Sequence, residues 1–202
     1  MLHCSKYDSC CIVKYIKAVE EYLYENYVKP AEAAEKKGID LVSKREEFER
    51  RGRARNFDVT YLQDVAEQDD LLVDGEWTIP PGADLDRRIL YIHGGAFTVG
   101  SAVSHRGIIS NLALRTGCAV FAPNYRLMPE NKRQDSIDDV RAVYKWILEN
   151  GPNGPAPVKK LAVAGDSAGG NLTLMLSNWV RNSGLQPADA VVGISPATDA
   201  TF

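Results

Sequence analysis

The chain has 202 residues, 45% hydrophobic and 25% charged, which is enough apolar material for one packed core or a core with a small subdomain. A formal net charge of -3 gives no electrostatic reason for nucleic acid or an anionic membrane as main partner, and no window reaches the roughly 18 continuous apolar residues of a membrane span. The four cysteines, at 4, 10, 11 and 118, form no C-x-x-C pair and match no zinc spacing, so no metal is expected; without an apolar leader after Met1, the expected setting is a reducing cytoplasm.

Residues 11 to about 55 carry a helical pattern. Ile12, Ile16, Val19, Leu23 and Tyr27 recur at three- and four-residue steps, Pro30 breaks the run, and Gly38 breaks the next. Such a segment cannot form a core alone, so 1–55 is expected to be a helical cap on the domain at 56–202. Within it, "KREEFERRGRAR" mixes acids with bases and suits a solvated helix face.

From about residue 57 the pattern becomes that of strands. "DVTYLQDVA" and "LLVDGEWTIP" suit an antiparallel start to a sheet, closed by "PPGADLD". "RRILYIHGG" is a short apolar strand running into glycines. "RGIISNLALRTG" follows as a helix with Ile108, Ile109, Leu112 and Ala113 on one side and Gly117 as its stop. "CAVFAP" is a buried strand. "SIDDVRAVYKWILENG" is a helix with Ser136 and Asp139 in capping-box spacing and Ile137, Val140, Tyr144, Ile147 and Leu148 on one face. After the loop "GPNGPAP" come the strand "VKKLAVAG", the helix "GGNLTLMLSNWVRNSG" and a last strand, "ADAVVGIS". Strands alternating with helices predict an α/β fold, a mostly parallel sheet with helices on both faces.

Ser167 stands where the strand "LAVA" gives way to the helix "NLTLML", with Gly165 and Gly169 two residues to either side. This is G-x-S-x-G in a strand–turn–helix setting, where a tight turn lifts the hydroxyl clear of the sheet and a Cβ at either glycine would clash. The plain alternative is a helix cap built from Asp166 or Ser167. "HGGAF" at 93–97 also follows a strand. An acyl-transfer intermediate needs rigid N–H donors for its oxyanion, and Gly94, Gly95 and Ala168 are the candidates; alone, the same glycines would be an ordinary turn.

The order "HGGAF", "NYRLMPE" at 124–130 and "GDSAGGN" resembles the hormone-sensitive lipase family of α/β-hydrolases over about residues 57–202. The resemblance implies an α/β-hydrolase fold with an N-terminal cap, a serine esterase acting on short acyl esters of small alcohols or phenols, and no cofactor. It implies that His93 orients the oxyanion loop, that Tyr125, Arg126 and Glu130 brace the loop beneath the site, and that Asp166 holds the turn by accepting backbone hydrogen bonds. Two departures stand out: Ala96 in place of a third glycine, and "NKRQDS" after Glu130, where the family usually carries an aromatic and a proline.

In this fold the triad runs serine, acid, histidine, yet His3, His93 and His105 all precede Ser167. "ADAVVGIS" reads as the sixth strand, whereas the family's acid and histidine follow the seventh and eighth. The expectation is therefore the N-terminal two-thirds of an esterase, nearly inactive alone, with its sheet incomplete at the C-terminal edge. Asp199 is read as a turn residue and His105 as a helix-start residue. A small-molecule ester is the expected partner, with homo-oligomerisation left open. The competing reading is a non-catalytic small-ligand binder of the same fold, as in gibberellin receptors, which the resemblance also reaches.

Overall fold

The computed structural model describes residues 40–53 and 56–198, together with Glu21 and Glu25. The helical pattern expected over 11–39 falls almost entirely outside them, as do His3, Cys4, Cys10, Cys11 and Asp199. The chain divides into two compact units, Met1–Ser43 and Lys44–Phe202. Helix α1 (Leu41–Arg53) runs across that division, and its residues from Lys44 onward belong to the second unit with everything that follows.

Strands β1 (Thr60–Gln68) and β2 (Leu71–Ile79) pair as a hairpin, the antiparallel start to the sheet expected from these short runs. The hairpin turns on Asp69 and Asp70, both left-handed at φ 54 and 61, the two-residue geometry whose twist matches that of the strands. β3 (Asp84–Ile92) lies between β4 (Cys118–Pro123) and β7 (Lys160–Asp166), parallel to both, and β8 (Ala190–Ile194) extends β7 in parallel. The six-stranded order is β1-β2-β4-β3-β7-β8. The expected loop at 151–157 contains a two-stranded ladder, β5 (Asn150–Gly151) with β6 (Gly154–Pro155).

Period-two alternation in the parallel strands divides the core between the two sheet faces. Leu90, Ile92, Phe121, Leu161 and Val163 pack with α3 (Arg133–Glu149) and α4 (Ser167–Ser183). Ile89, Tyr91, Val120, Ala122 and Ala164 pack with α2 (Arg106–Thr116) on the other side. Trp77, Phe121 and Trp146 stack in series with centroids 5.0 Å apart at each step. Gly117 ends α2 in the left-handed conformation at φ 66, as its position predicts.

The start of α3 differs from the expectation. Its N-cap is Lys132, whose amide donates to Asp135, and the helix begins three residues before Ser136. Ser136 and Asp139 are buried inside it and serve Arg126: Ser136 Oγ donates to the Arg126 carbonyl at 2.7 Å, and Asp139 accepts the Arg126 guanidinium at 2.7 Å. Capping-box spacing was satisfied in sequence while the side chains were claimed by a more distant partner.

Among the described residues no helix is long and apolar enough to cross a membrane. β8 pairs only with β7 and leaves Val191, Val192 and Ile194 between 39% and 49% exposed. Beside it, Leu174, Leu176, Val180, Leu185 and Val191 line a cavity of about 550 Å³ that includes no residue of the Ser167 turn. An unpaired apolar edge templates strand addition. The chain is therefore expected to self-associate as its concentration rises in size-exclusion chromatography, and Val192→Lys to shift the elution toward monomer; identical elution of both chains would contradict this.

Candidate active site

β7 passes into α4 with no intervening residue: Asp166 is still extended at φ -114, ψ 149, and Ser167 turns left-handed at φ 50. A non-glycine residue in that region is strained and persists only where its surroundings over-determine it. Here the surroundings are glycine contacts. A Cβ on Gly165 would lie 2.6 Å from the Gly169 carbonyl oxygen, and one on Gly169 would overlap the carbonyl oxygens of Ile92 and His93. Close packing of α4 thus requires Gly165 where the helix meets β7 and Gly169 where it meets the end of β3, for the steric reason the motif suggested. Ser167 is exposed while Gly165, Ala168 and Gly169 are buried around it, and its Oγ has no hydrogen-bond partner among the described residues. The amides of the first turn of α4 have no acceptor within the helix, so the helix presents its positive end at this point.

The second wall is the loop after β3. His93 is fully buried, stacked on Tyr125 at 4.2 Å, with Nδ1 2.8 Å from the Gly94 carbonyl. Tyr125 donates its hydroxyl to the His93 carbonyl at 2.8 Å. The loop then runs through three left-handed residues, Gly95 (φ 122), Ala96 (φ 51) and Phe97 (φ 61), closed by the Thr98 and Val99 amides on the Gly95 carbonyl, each at 3.0 Å.

The amides expected as oxyanion donors differ in what they engage. The Gly94 N–H donates to Asp166 Oδ1 at 3.0 Å and is already committed, whereas the amides of Gly95 and Ala96 have no acceptor among the described residues. The sequence could not show this, because peptide orientation depends on a carboxylate 72 residues away.

Asp166 also accepts the Tyr91 hydroxyl at 2.8 Å and lies 3.6 Å from His105 Nε2. Burial pushes its carboxyl up, but His105, Tyr91 and the Gly94 N–H outweigh that and hold it below the usual value. His93, by contrast, is depressed to about 3, mainly by burial and then by the neighbouring His105. His105 stands at the N-cap of α2, as expected of a helix-start residue, with Nδ1 2.9 Å from Ser104 Oγ.

Glu130 takes Arg45 of α1 in a two-point pair at 2.8 and 2.9 Å, which lowers its carboxyl. The same guanidinium donates to the carbonyls of Thr98, at 2.9 Å, and Met128, at 3.1 Å, so it joins α1 to the loop after β3. Glu49 of α1 also accepts Ser101 Oγ. Arg45, Tyr91 and the open Ala96 amide were not singled out in the sequence. Tyr91 was hidden in an apolar strand run, and Arg45 in a mixed-charge stretch that suited a solvated face.

A family profile described as alpha/beta hydrolase fold matches residues 89–202. The chain is 38% identical over 124 residues to an acetyl-hydrolase of Streptomyces hygroscopicus, covering 61% of this chain and 40% of that protein. It is 37% identical over 114 residues to an ethyl acetate hydrolase of Pseudomonas putida, covering 56% and 36% respectively. The crystal structure of an esterase from the bacterial hormone-sensitive lipase family superposes with a TM-score of 0.69 at 31% identity, over 79% of this chain and 52% of that one. The chain thus spans about 40% or less of these two curated relatives.

Two predictions follow from the packing. Gly169→Ala is expected to lose about 2 to 3 kcal/mol of unfolding free energy in urea, and an unchanged midpoint would show that α4 can move off β3. For His93, the folded pKa near 3 lies below the ordinary 6.5, so its contribution is complete above pH 6.5 and is lost as pH falls toward 3. Stability should drop by roughly 2 to 3 kcal/mol from about pH 6.5 to 4.5, at about 1.4 kcal/mol per pH unit. Asp166 adds to the loss only below the usual carboxylate range. His93→Gln should remove most of the slope between pH 6.5 and 4.5; a slope unchanged in that variant would place the proton elsewhere.

Proposed function

From a chain that belongs to the hormone-sensitive lipase family of α/β-hydrolases, we propose a carboxylic ester hydrolase in which Ser167 attacks the acyl carbon, the alcohol leaves, and water cleaves the acyl-enzyme. The observation that carries this is the turn itself. Ser167 is an exposed, left-handed residue at the head of α4, beside a loop with two unengaged amides.

In the proposed mechanism the carbonyl oxygen, as it gains negative charge, takes hydrogen bonds from the N–H groups of Gly95, Ala96 and Ala168. Gly94 anchors the loop through Asp166 instead of donating to the oxyanion. Loss of one such donor typically costs about 3 kcal/mol of transition-state stabilisation. A left-handed Ala96 still presents its amide, which is why a third glycine is dispensable here.

Neither described histidine is the base. His93 Nδ1 is engaged by the Gly94 carbonyl and its ring is buried, while His105 has one nitrogen toward Asp166 and the other toward Ser104. The general base is therefore a histidine other than these two, and no histidine follows Ser167 in the sequence. Short acyl esters of small alcohols are the proposed substrates, supported by the names of the acetyl-hydrolase and ethyl acetate hydrolase relatives.

The 202-residue chain is expected to hydrolyse p-nitrophenyl butyrate no faster than its Ser167→Ala variant. Imidazole supplied as a diffusible base should then accelerate only the serine-bearing chain, by about tenfold or more. Equal acceleration of both would remove Ser167 as nucleophile, and fast Ser167-dependent turnover without imidazole would mean that a base is already in place.

A further inference from the structure

One partly buried cation on the elements around Ser167 meets no carboxylate among the described residues. Arg133, the first residue of α3, belongs to the "NKRQDS" stretch that replaces the aromatic and proline usual in the resembling family. Its guanidinium lies 4.9 Å from the ring centroid of Phe97, a residue of the oxyanion loop. Nη2 donates to Asn171 Oδ1 at 2.7 Å and reaches Met175 Sδ at 3.8 Å. Asn171 is four residues, one helical turn, after Ser167 in α4, so it shares the serine's side of the helix about 6 Å further along. The guanidinium therefore spans the two walls that flank the nucleophile.

Arg45, Arg106, Arg126 and Arg141 each meet a carboxylate. Arg133 is partly buried and meets none among the described residues, and its Nε is buried without an acceptor. The nearest acid in sequence, Asp135, is turned to the Lys132 amide at 2.7 Å and toward Arg126 at 3.6 Å. Nη1 donates to none of the described residues, so the end of the guanidinium fork remains available. Partial desolvation of a cation without a counter-ion is unfavourable, and a planar fork is suited to a carboxylate.

We propose that Arg133 is a specificity-determining residue that receives a carboxylate carried by the substrate. The preferred esters are then half-esters of dicarboxylic acids or acyl esters of hydroxy acids, with a short alkyl chain between carboxylate and scissile ester. This rests on the ester reading of the Ser167 site.

Binding tests it without turnover. The 202-residue chain is titrated with monoethyl succinate, 3-acetoxypropionate and neutral ethyl butyrate, followed by the backbone amide resonances of Gly95 and Ala168 and the Nε–H resonance of Arg133. At least one anionic ester should bind about tenfold or more tightly than ethyl butyrate, as expected for a hydrogen bond to a charged group. Which one does so tells whether the carboxylate lies on the acyl or the alcohol side. Arg133→Met should abolish the preference for the anionic esters over ethyl butyrate, Arg133→Lys should retain part of it, and added salt should weaken it. Equal binding of all three esters, or a preference that survives in Arg133→Met, overturns the role of Arg133 alone. If no ester moves the Gly95 and Ala168 resonances, the ester reading fails and this inference fails with it.

Discussion

The carboxylate of Asp166 is the contact on which the site's geometry depends. It sits one residue before Ser167, accepts the Gly94 N–H and the Tyr91 hydroxyl, and lies 3.6 Å from His105 Nε2. One side chain thereby joins the end of β7, the end of β3 and the head of α2. Because it is ionised and partly buried, its hydrogen bonds are of the stronger, charge-assisted kind. The Ser167 turn and the loop after β3 are tied to each other through this group.

The loop that Asp166 holds would not keep its shape unaided. Ala96 and Phe97 are both left-handed, a conformation that costs a side-chain-bearing residue free energy. What offsets it is contact from outside: the Met128 amide donates to the Phe97 carbonyl at 2.8 Å, Arg45 donates to the Thr98 carbonyl, and Tyr125 fixes the residue on which the loop begins. The amides of Gly95 and Ala96, which have no acceptor among the described residues, are held in place by that external support. Donors held rigidly in this way need no reorganisation when charge develops beside them.

The sheet explains where these parts converge. β3 and β7 are parallel neighbours, so both end on the same side, and the two loops that follow them lie next to each other there. Gly169 completes the arrangement by letting the backbone of α4 approach the last carbonyls of β3. At the sheet edge beyond β7, β8 leaves three branched apolar side chains exposed. Arg133 gains its interest from the same convergence: it begins α3 and touches both the loop after β3 and α4.

Strands, helices and the Ser167 turn were legible in the sequence because their causes are local. Short runs between turn residues placed β1 and β2, three- and four-residue periodicity placed α3, and steric need placed glycines around Ser167. Ser136 and Asp139 show the limit, since their spacing fitted a cap but Arg126 held both in the folded chain. Gly94 shows it again, because an N–H points where its acceptor lies and that acceptor is Asp166. The sequence by itself thus determined the fold class, the order of the motifs along the chain and the glycine-flanked position of Ser167 between a strand and a helix. Tertiary structure alone decided which amides lack an acceptor among the described residues, which carboxylate anchors the loop and what each arginine meets, because hydrogen-bond direction and charge pairing are properties of groups brought together across the chain.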